Sequence, residues 1–223
     1  MATPKRAARK PRLSYHHGNL RRALLDEALA TIRAEGVDAL TLRAIGARLG
    51  VSRTALYRHF ADKRALLTAV ATEGFGTLRH KLVTAWEKGG RDDAAFTSMG
   101  VAYVRFAVDN PSHYRVMFGG FVEEETRDAD LATEAEGAFQ ALVDALAALQ
   151  RDGVMRSGDD TTLMAMHVWA LVHGIAMLGI DGQLREPGAA EELMRYAFER
   201  LRTGIAAENE GASPASSDQD ADR

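Results

Sequence analysis

Residues 41–63 leave a chain few ways to fold. Thr41 stands in an N-cap position ahead of Leu42, Ile45 and Leu49, apolar residues at three- and four-residue spacing, and Gly50 closes the run. After the tight Leu49-Gly50-Val51 link, Ser52 caps another short helix, expected over residues 53–59, with Ala55, Leu56 and Phe60 turned inward. Arg53, Thr54, Tyr57 and Arg58 are left facing outward. The pattern over residues 19–35 predicts a helix ahead of this pair: Leu20, Leu24, Leu25, Ala28, Leu29 and Ile32 share one face, and Gly36 follows as a left-handed stop. Two short helices joined by a glycine turn, the second showing polar and cationic residues outward, form the arrangement by which a helix enters the major groove of DNA.

The charge distribution points the same way. The chain of 223 residues has a formal net charge of only -3. Residues 1–64, however, hold 14 Lys and Arg against 5 Asp and Glu, while residues 65–223 hold 14 against 26. A basic block of +9 beside an acidic body of -12 suits a protein that meets a polyanion with one end only. Phosphates call for cations and hydroxyls, whereas base edges call for forked donors. Arg53 and Thr54, at the start of the third helix, are expected to reach base edges, and Arg43 a base or a phosphate. Tyr57, His59 and Lys63 suit phosphate oxygens, as do Thr41 and Ser52 at helix N-termini.

Beyond this pair the pattern stays helical. From Asp62, the residues Leu66, Leu67, Val70, Phe75, Leu78, Leu82 and Trp86 predict a long helix to about Glu87, weakened at Gly74 and Gly76, where a kink or pivot is expected. Further helices are expected over 93–108, from Pro111 to near Gly119-Gly120, and over 130–151, 160–180 and 187–205. Alternating β-branched stretches are absent, so the fold class is all-α. The expected organisation is a basic disordered arm (1–17), a three-helix helix-turn-helix domain (18–64), a helical body (65–206) and a disordered acidic tail (207–223). The longest apolar run, residues 168–180, is about 13 residues against the roughly 20 of a spanning helix, so no membrane partner is expected. The arm lacks the apolar stretch of a secretory signal. The absence of cysteine excludes thiolate chemistry and disulfides and fits the cytoplasm.

Thr41-Leu42-Arg43-Ala44-Ile45-Gly46-Ala47-Arg48-Leu49-Gly50-Val51-Ser52, followed by Leu56-Tyr57-Arg58-His59-Phe60 and Lys63, resembles the tetracycline-repressor (TetR) family over roughly residues 19–67. The resemblance implies an N-terminal three-helix DNA-binding domain, a fourth connecting helix, and an all-helical C-terminal domain that dimerises and binds a small ligand. It implies backbone clamps at Tyr57, His59 and Lys63 and base readers at Arg43, Arg53 and Thr54. Trp169-Ala170-Leu171-Val172-His173-Gly174 is similar to a Trp-x-x-x-His-Gly subgroup of these regulators, and residues 110–118 to the segment usually seen before it.

In the body, Phe96, Met99, Tyr103 and Phe106 recur at helical spacing, and Trp169 and His173 lie one turn apart on one face. Most of that stripe is core. Together with Met117, Phe118, Met166 and Met177, these residues are the expected surroundings of an apolar or aromatic effector. The last two helices are expected to form a homodimer through Leu171, Ile175, Leu178, Leu193, Phe198 and Leu201. Such a dimer would read a near-palindromic operator with half-site centres about 34–36 Å apart or a multiple of that. An effector would tilt the fourth helix and spread the two heads. No cofactor or metal is expected: His167 and His173 are six residues apart, on different sides of a helix, without the four-residue partner of helical zinc sites. No nucleophile turn supports hydrolase chemistry, and Glu123-Glu124-Glu125 reads as a solvated loop. Two rival readings, a small helical enzyme or ligand carrier and a helical protein adaptor, both predict no selective affinity for DNA.

Overall fold

The computed structural model describes residues 20–122 and 128–205, so the basic arm, the Glu123–Glu125 run and the acidic tail lie outside the described residues. Among the described residues the secondary structure is helical: α1 (Leu20–Glu35), α2 (Leu42–Leu49), α3 (Arg53–Tyr57), α4 (Lys63–Lys88), α5 (Asp93–Asp109), α6 (Pro111–Phe118), α7 (Ala129–Arg151), α8 (Thr161–Ile180) and α9 (Ala189–Ile205). The chain divides into two compact units. The first takes residues up to Leu78 together with Asp109–Glu136, and the second takes Arg79–Val108 and the chain from Gly137 onward. The first unit therefore includes α6 as well as the three N-terminal helices.

Caps explain most boundaries. Thr41 Oγ1 accepts from the N–H of Ala44 and Ser52 Oγ from that of Ala55, each at 3.2 Å. Asp62, Asp128 and Asp160 accept in the same way from Ala65, Leu131 and Leu163 at 2.7–2.9 Å, starting α4, α7 and α8. Gly50 ends α2 at φ +67, a left-handed conformation that a side chain would oppose, and the N–H groups of Gly50 and Val51 return to Ala47 and Gly46. α3 stops two residues before its expected end. The N–H groups of His59 and Phe60 both bond the Leu56 carbonyl, which tightens the turn and carries the Phe60 ring inward. α9 begins two residues later than expected, because Gly188 takes φ +82 and Ala189 closes a turn onto Glu186.

The first unit is built on the apolar face of α1. Leu24, Ala28 and Ile32 are buried with Leu40, Ile45, Leu56, Phe60 and, from α4, Leu66, Val70 and Leu78. The glycines of α4 do not interrupt it, since the helix runs unbroken through Gly74 and Gly76. Gly74 serves close packing instead: a Cβ there would stand 2.5 Å from Met117 Sδ, so the missing side chain lets α6 seat against α4. Ser112 Oγ of α6 also donates to the Leu29 carbonyl of α1 at 3.2 Å.

In the second unit α8 packs along α9. Met164, Ala165, Val168, Val172, Ile175 and Ala176 form the buried face of α8, and Met194 and Phe198 that of α9. The Phe198 ring lies 5.3 Å from that of Phe96 on α5, and Gly100 gives it room. Ile175 and Phe198 were expected on a dimer surface. They point inward instead, at 4% and 5% exposure, because they occupy the positions that meet this unit's own core.

Candidate nucleic-acid interface

The outward faces of α2 and α3 carry the polar side chains that the pattern singled out. Thr41, Arg43, Ser52, Arg53, Thr54, Tyr57 and His59 are all exposed, while Leu56 and Phe60 anchor the same short segment from beneath. The Arg53 guanidinium lies 5.4 Å from the centre of the Tyr57 ring one turn away, a cation–π contact that holds a forked donor at the helix start. Arg21 stacks over Phe60 at the same distance.

Not every cation of this block faces outward unoccupied. Arg48 donates to Glu27 at 3.3 Å, Thr31 at 2.7 Å and Glu35 at 2.6 Å, which ties α2 to α1, and these acidic partners raise its pKa. Lys63, half-buried, donates to the backbone carbonyls of Val37 at 2.8 Å and Asp38 at 3.4 Å. Residue pattern marks cations but not their partners, so these ties were not legible in the sequence.

The same unit holds a second charged array. Arg22 pairs with Asp26 on its own helix and donates to Glu73 of α4 at 2.6 Å, and Glu73 also meets His113 Nε2 of α6 at 3.2 Å. Hydrogen bonding to Asp26 and then Glu73 raises the Arg22 pKa. Burial lowers that of His113, partly opposed by Glu73.

The expected effector residues fall into separate settings. Tyr103, Trp169 and His173 come together in the second unit: the indole N–H donates to Tyr103 Oη at 3.2 Å, and that oxygen lies 3.3 Å from His173 Nδ1. Phe139 stands edge-on to Trp169 at 6.3 Å, and burial lowers the pKa of His173. Phe96, Met99 and Phe106 are buried on α5 of this unit. Met117 and Phe118 lie in the first unit, where Phe118 packs on Phe75 and Tyr114 with centroids 5.3 and 4.7 Å away. Met166 is 50% exposed on the outer side of α8.

That outer side is apolar along its length. Leu163 (66% exposed), Met166, Leu178 and, from α9, Tyr196 (60%) reach solvent, with exposed Ala170 and Gly174 between them. An open groove of about 880 Å³ runs between the two helices past His167, Leu171, Leu193 and Leu201. The 13-residue apolar run understated this element: Thr161–Ile180 has no Asp, Glu, Lys or Arg, and so is long and apolar enough to cross a membrane. Its inner face is nevertheless packed within the unit. The signal was present in the sequence as twenty residues without Asp, Glu, Lys or Arg, whose first seven include the polar Thr161, Thr162 and His167.

Comparison with known proteins fits this architecture. Residues 24–70 match the model for bacterial regulatory proteins of the tetR family, and residues 96–201 the tetracyclin repressor-like C-terminal domain. A protein of unknown function from Rhodococcus sp. RHA1 superposes with a TM-score of 0.76 at 32% identity, covering 87% of this chain and 99% of that one. An HTH-type transcriptional regulator of Mycobacterium tuberculosis is 31% identical over 157 residues, 66% of this chain and 60% of its own length. The class C tetracycline repressor protein of Escherichia coli is 45% identical over 60 residues, 27% of each chain. The chain belongs to the TetR family of DNA-binding helix-turn-helix transcriptional regulators.

Proposed function

We propose that the protein is a cytoplasmic, ligand-responsive repressor that binds a near-palindromic operator as a homodimer. One observation carries the reading: the start of α3 presents Ser52, Arg53, Thr54 and Tyr57 to solvent on a short segment anchored by Leu56 and Phe60. Arg53 and Thr54, with Arg43 beside them, read base edges, whereas Thr41, Ser52, Tyr57 and His59 hold phosphates. The apolar outer face of α8 and α9 pairs with its copy in a second chain, which sets two heads on two half-sites.

The effector is a small apolar or aromatic molecule taken up beside Phe96, Met99, Tyr103 and Phe106. Trp169 and His173 supply the polar contact that orients it. To release DNA it must bind the DNA-incompetent state more tightly, by roughly 5.5 kcal/mol for a swing from 1:99 to 99:1. The deciding experiment is a gel shift of the duplex upstream of the protein's own coding region, with sheared DNA as competitor. Sequence-selective retention at physiological salt is the expected result. Retention that the competitor abolishes would return the protein to the carrier or adaptor readings. Apolar and aromatic compounds added to the retained complex then identify the effector.

A further inference from the structure

The polar cluster of the second unit is made of groups that carry no charge at neutral pH. Tyr103 of α5 meets Trp169 and His173 of α8, with Phe139 of α7 edge-on to the indole. Burial lowers the His173 pKa, which keeps its imidazole neutral. The cluster is not sealed within the unit, since Trp169 is 36% exposed and His173 half-buried.

The helices around it hold their charges elsewhere. The buried face of α5, which carries Tyr103, has no Asp, Glu, Lys or Arg, and Arg105 is exposed and paired with Glu191 at 3.4 Å. Thr161–Ile180 of α8 has none at all. On α7, Glu136 and Asp144 are exposed, and Asp144 accepts from Gln140. Arg79 lies over Gly137, two residues from Phe139 and so on nearly the opposite side of α7. An ion brought to the cluster would lose its hydration and meet no opposite charge on these faces, which is strongly unfavourable.

Proton counting gives the polarity of the contact. The three side chains carry three polar protons, one each on the indole nitrogen, the phenol and the neutral imidazole. Their two mutual hydrogen bonds use two of them. Trp169 Nε1 donates to Tyr103 Oη at 3.2 Å, and the 3.3 Å contact between Tyr103 Oη and His173 Nδ1 takes one proton from either partner. In both tautomers one proton points out of the trio, on His173 Nε2 or on Tyr103 Oη. It need not be idle beforehand, because an effector atom can replace whatever acceptor it meets.

We propose that the effector is uncharged where it meets Tyr103, Trp169 and His173, and offers a hydrogen-bond acceptor there in the form of a ketone, ester or amide carbonyl. This deepens the proposed effector site and rests on it.

Calorimetry of the full chain, without DNA, tests the class directly. The probes are phenylalkyl methyl ketones of increasing chain length, with carboxylates, ammonium ions and parent alkylbenzenes of matching skeleton. Ketones are expected to bind about tenfold tighter than the alkylbenzenes, the size of one hydrogen bond, and about a hundredfold or more tighter than either ion. Whichever of Tyr103→Phe and His173→Leu removes the outward donor should abolish the advantage of ketone over alkylbenzene while alkylbenzene binding persists. His173→Gln, which keeps an N–H, should retain part of that advantage. Should one variant fail to fold, the other two and the probe series decide. Ketones no tighter than alkylbenzenes, tighter binding of either ion, or an advantage that survives in both Tyr103→Phe and His173→Leu overturns the inference and leaves the effector site standing. If no probe of any class binds, the proposed effector site fails with it.

Discussion

Helices α3 and α8 both leave side chains in water, and their exposed faces have opposite chemistry. α3 shows Arg53, Thr54 and Tyr57, whereas α8 shows Leu163, Met166 and Leu178 with Ala170 and Gly174 between them. An exposed arginine is well solvated and waits for a polyanion at little cost. An exposed leucine or methionine stays unfavourable until something apolar covers it, and full burial contributes roughly 1.5–3 kcal/mol for each such side chain. Exposure thus means one thing where the sequence is charged and another where it is not. The first face suits DNA, and the second suits another protein surface.

The contrast can be broken at either end. The largest effect is expected from Phe60→Ala, which empties the support under α3 and costs about 3–5 kcal/mol in denaturant melts of the head. A dimer formed through α8 and α9, as proposed, should survive this change. A cost below about 1 kcal/mol would mean that α3 does not depend on this core.

Gly174→Glu attacks the other face. No atom lies within 4 Å of a Cβ at Gly174, so the single chain accommodates the side chain, but a dimer across that face must bury an unpaired carboxylate. Sedimentation should show the dimer dissociating about a hundredfold more readily, a change of roughly 2.8 kcal/mol. A dimer of undiminished strength would remove this face from the interface.

Smaller still, Arg53→Ala should cost about 1–3 kcal/mol at one base-pair position in a selection experiment, and less elsewhere. Tyr57→Ala should share part of that loss because the ring supports the guanidinium, whereas Tyr57→Phe keeps the stacking. Equal loss at every position would make Arg53 a phosphate contact.

The mildest effect is that of pH. Burial lowers the pKa values of His113 and His173, so below the ordinary histidine value of 6.5 the unfolded chain takes up protons more readily than the folded one. Stability is full above about pH 6.5 and declines as acidification proceeds from there toward the lowered folded values. His113→Gln, beside Glu73 and Arg22, and His173→Gln, beside Tyr103 and Trp169, should each flatten that decline in melts between about pH 7 and pH 5. A decline as steep as in the wild type would show that other groups cause it.

The helices, their caps and the family were written in local pattern. Thr41, Ser52 and Asp160 cap helices by hydrogen bonds to residues three further on, and Gly50 turns the chain through its own backbone freedom, so a few neighbouring letters suffice. Which polar group meets which partner was not written there. Lys63 and Val37 are 26 residues apart, Tyr103 and His173 are 70, and nothing in either local pattern names the other. The same limit placed Ile175 on the wrong side of α8, which is apolar nearly all round, so that only packing decides which stripe is core. Phe198 lies on the one apolar stripe of the amphipathic α9, and periodicity does not tell whether that stripe meets its own unit or a second chain. The sequence by itself determined an all-helical regulator with a cationic reading head, because helix formation and charge are local properties. The tertiary structure decided which cations face outward and which hold the head together, because that depends on backbone carbonyls brought near by the fold.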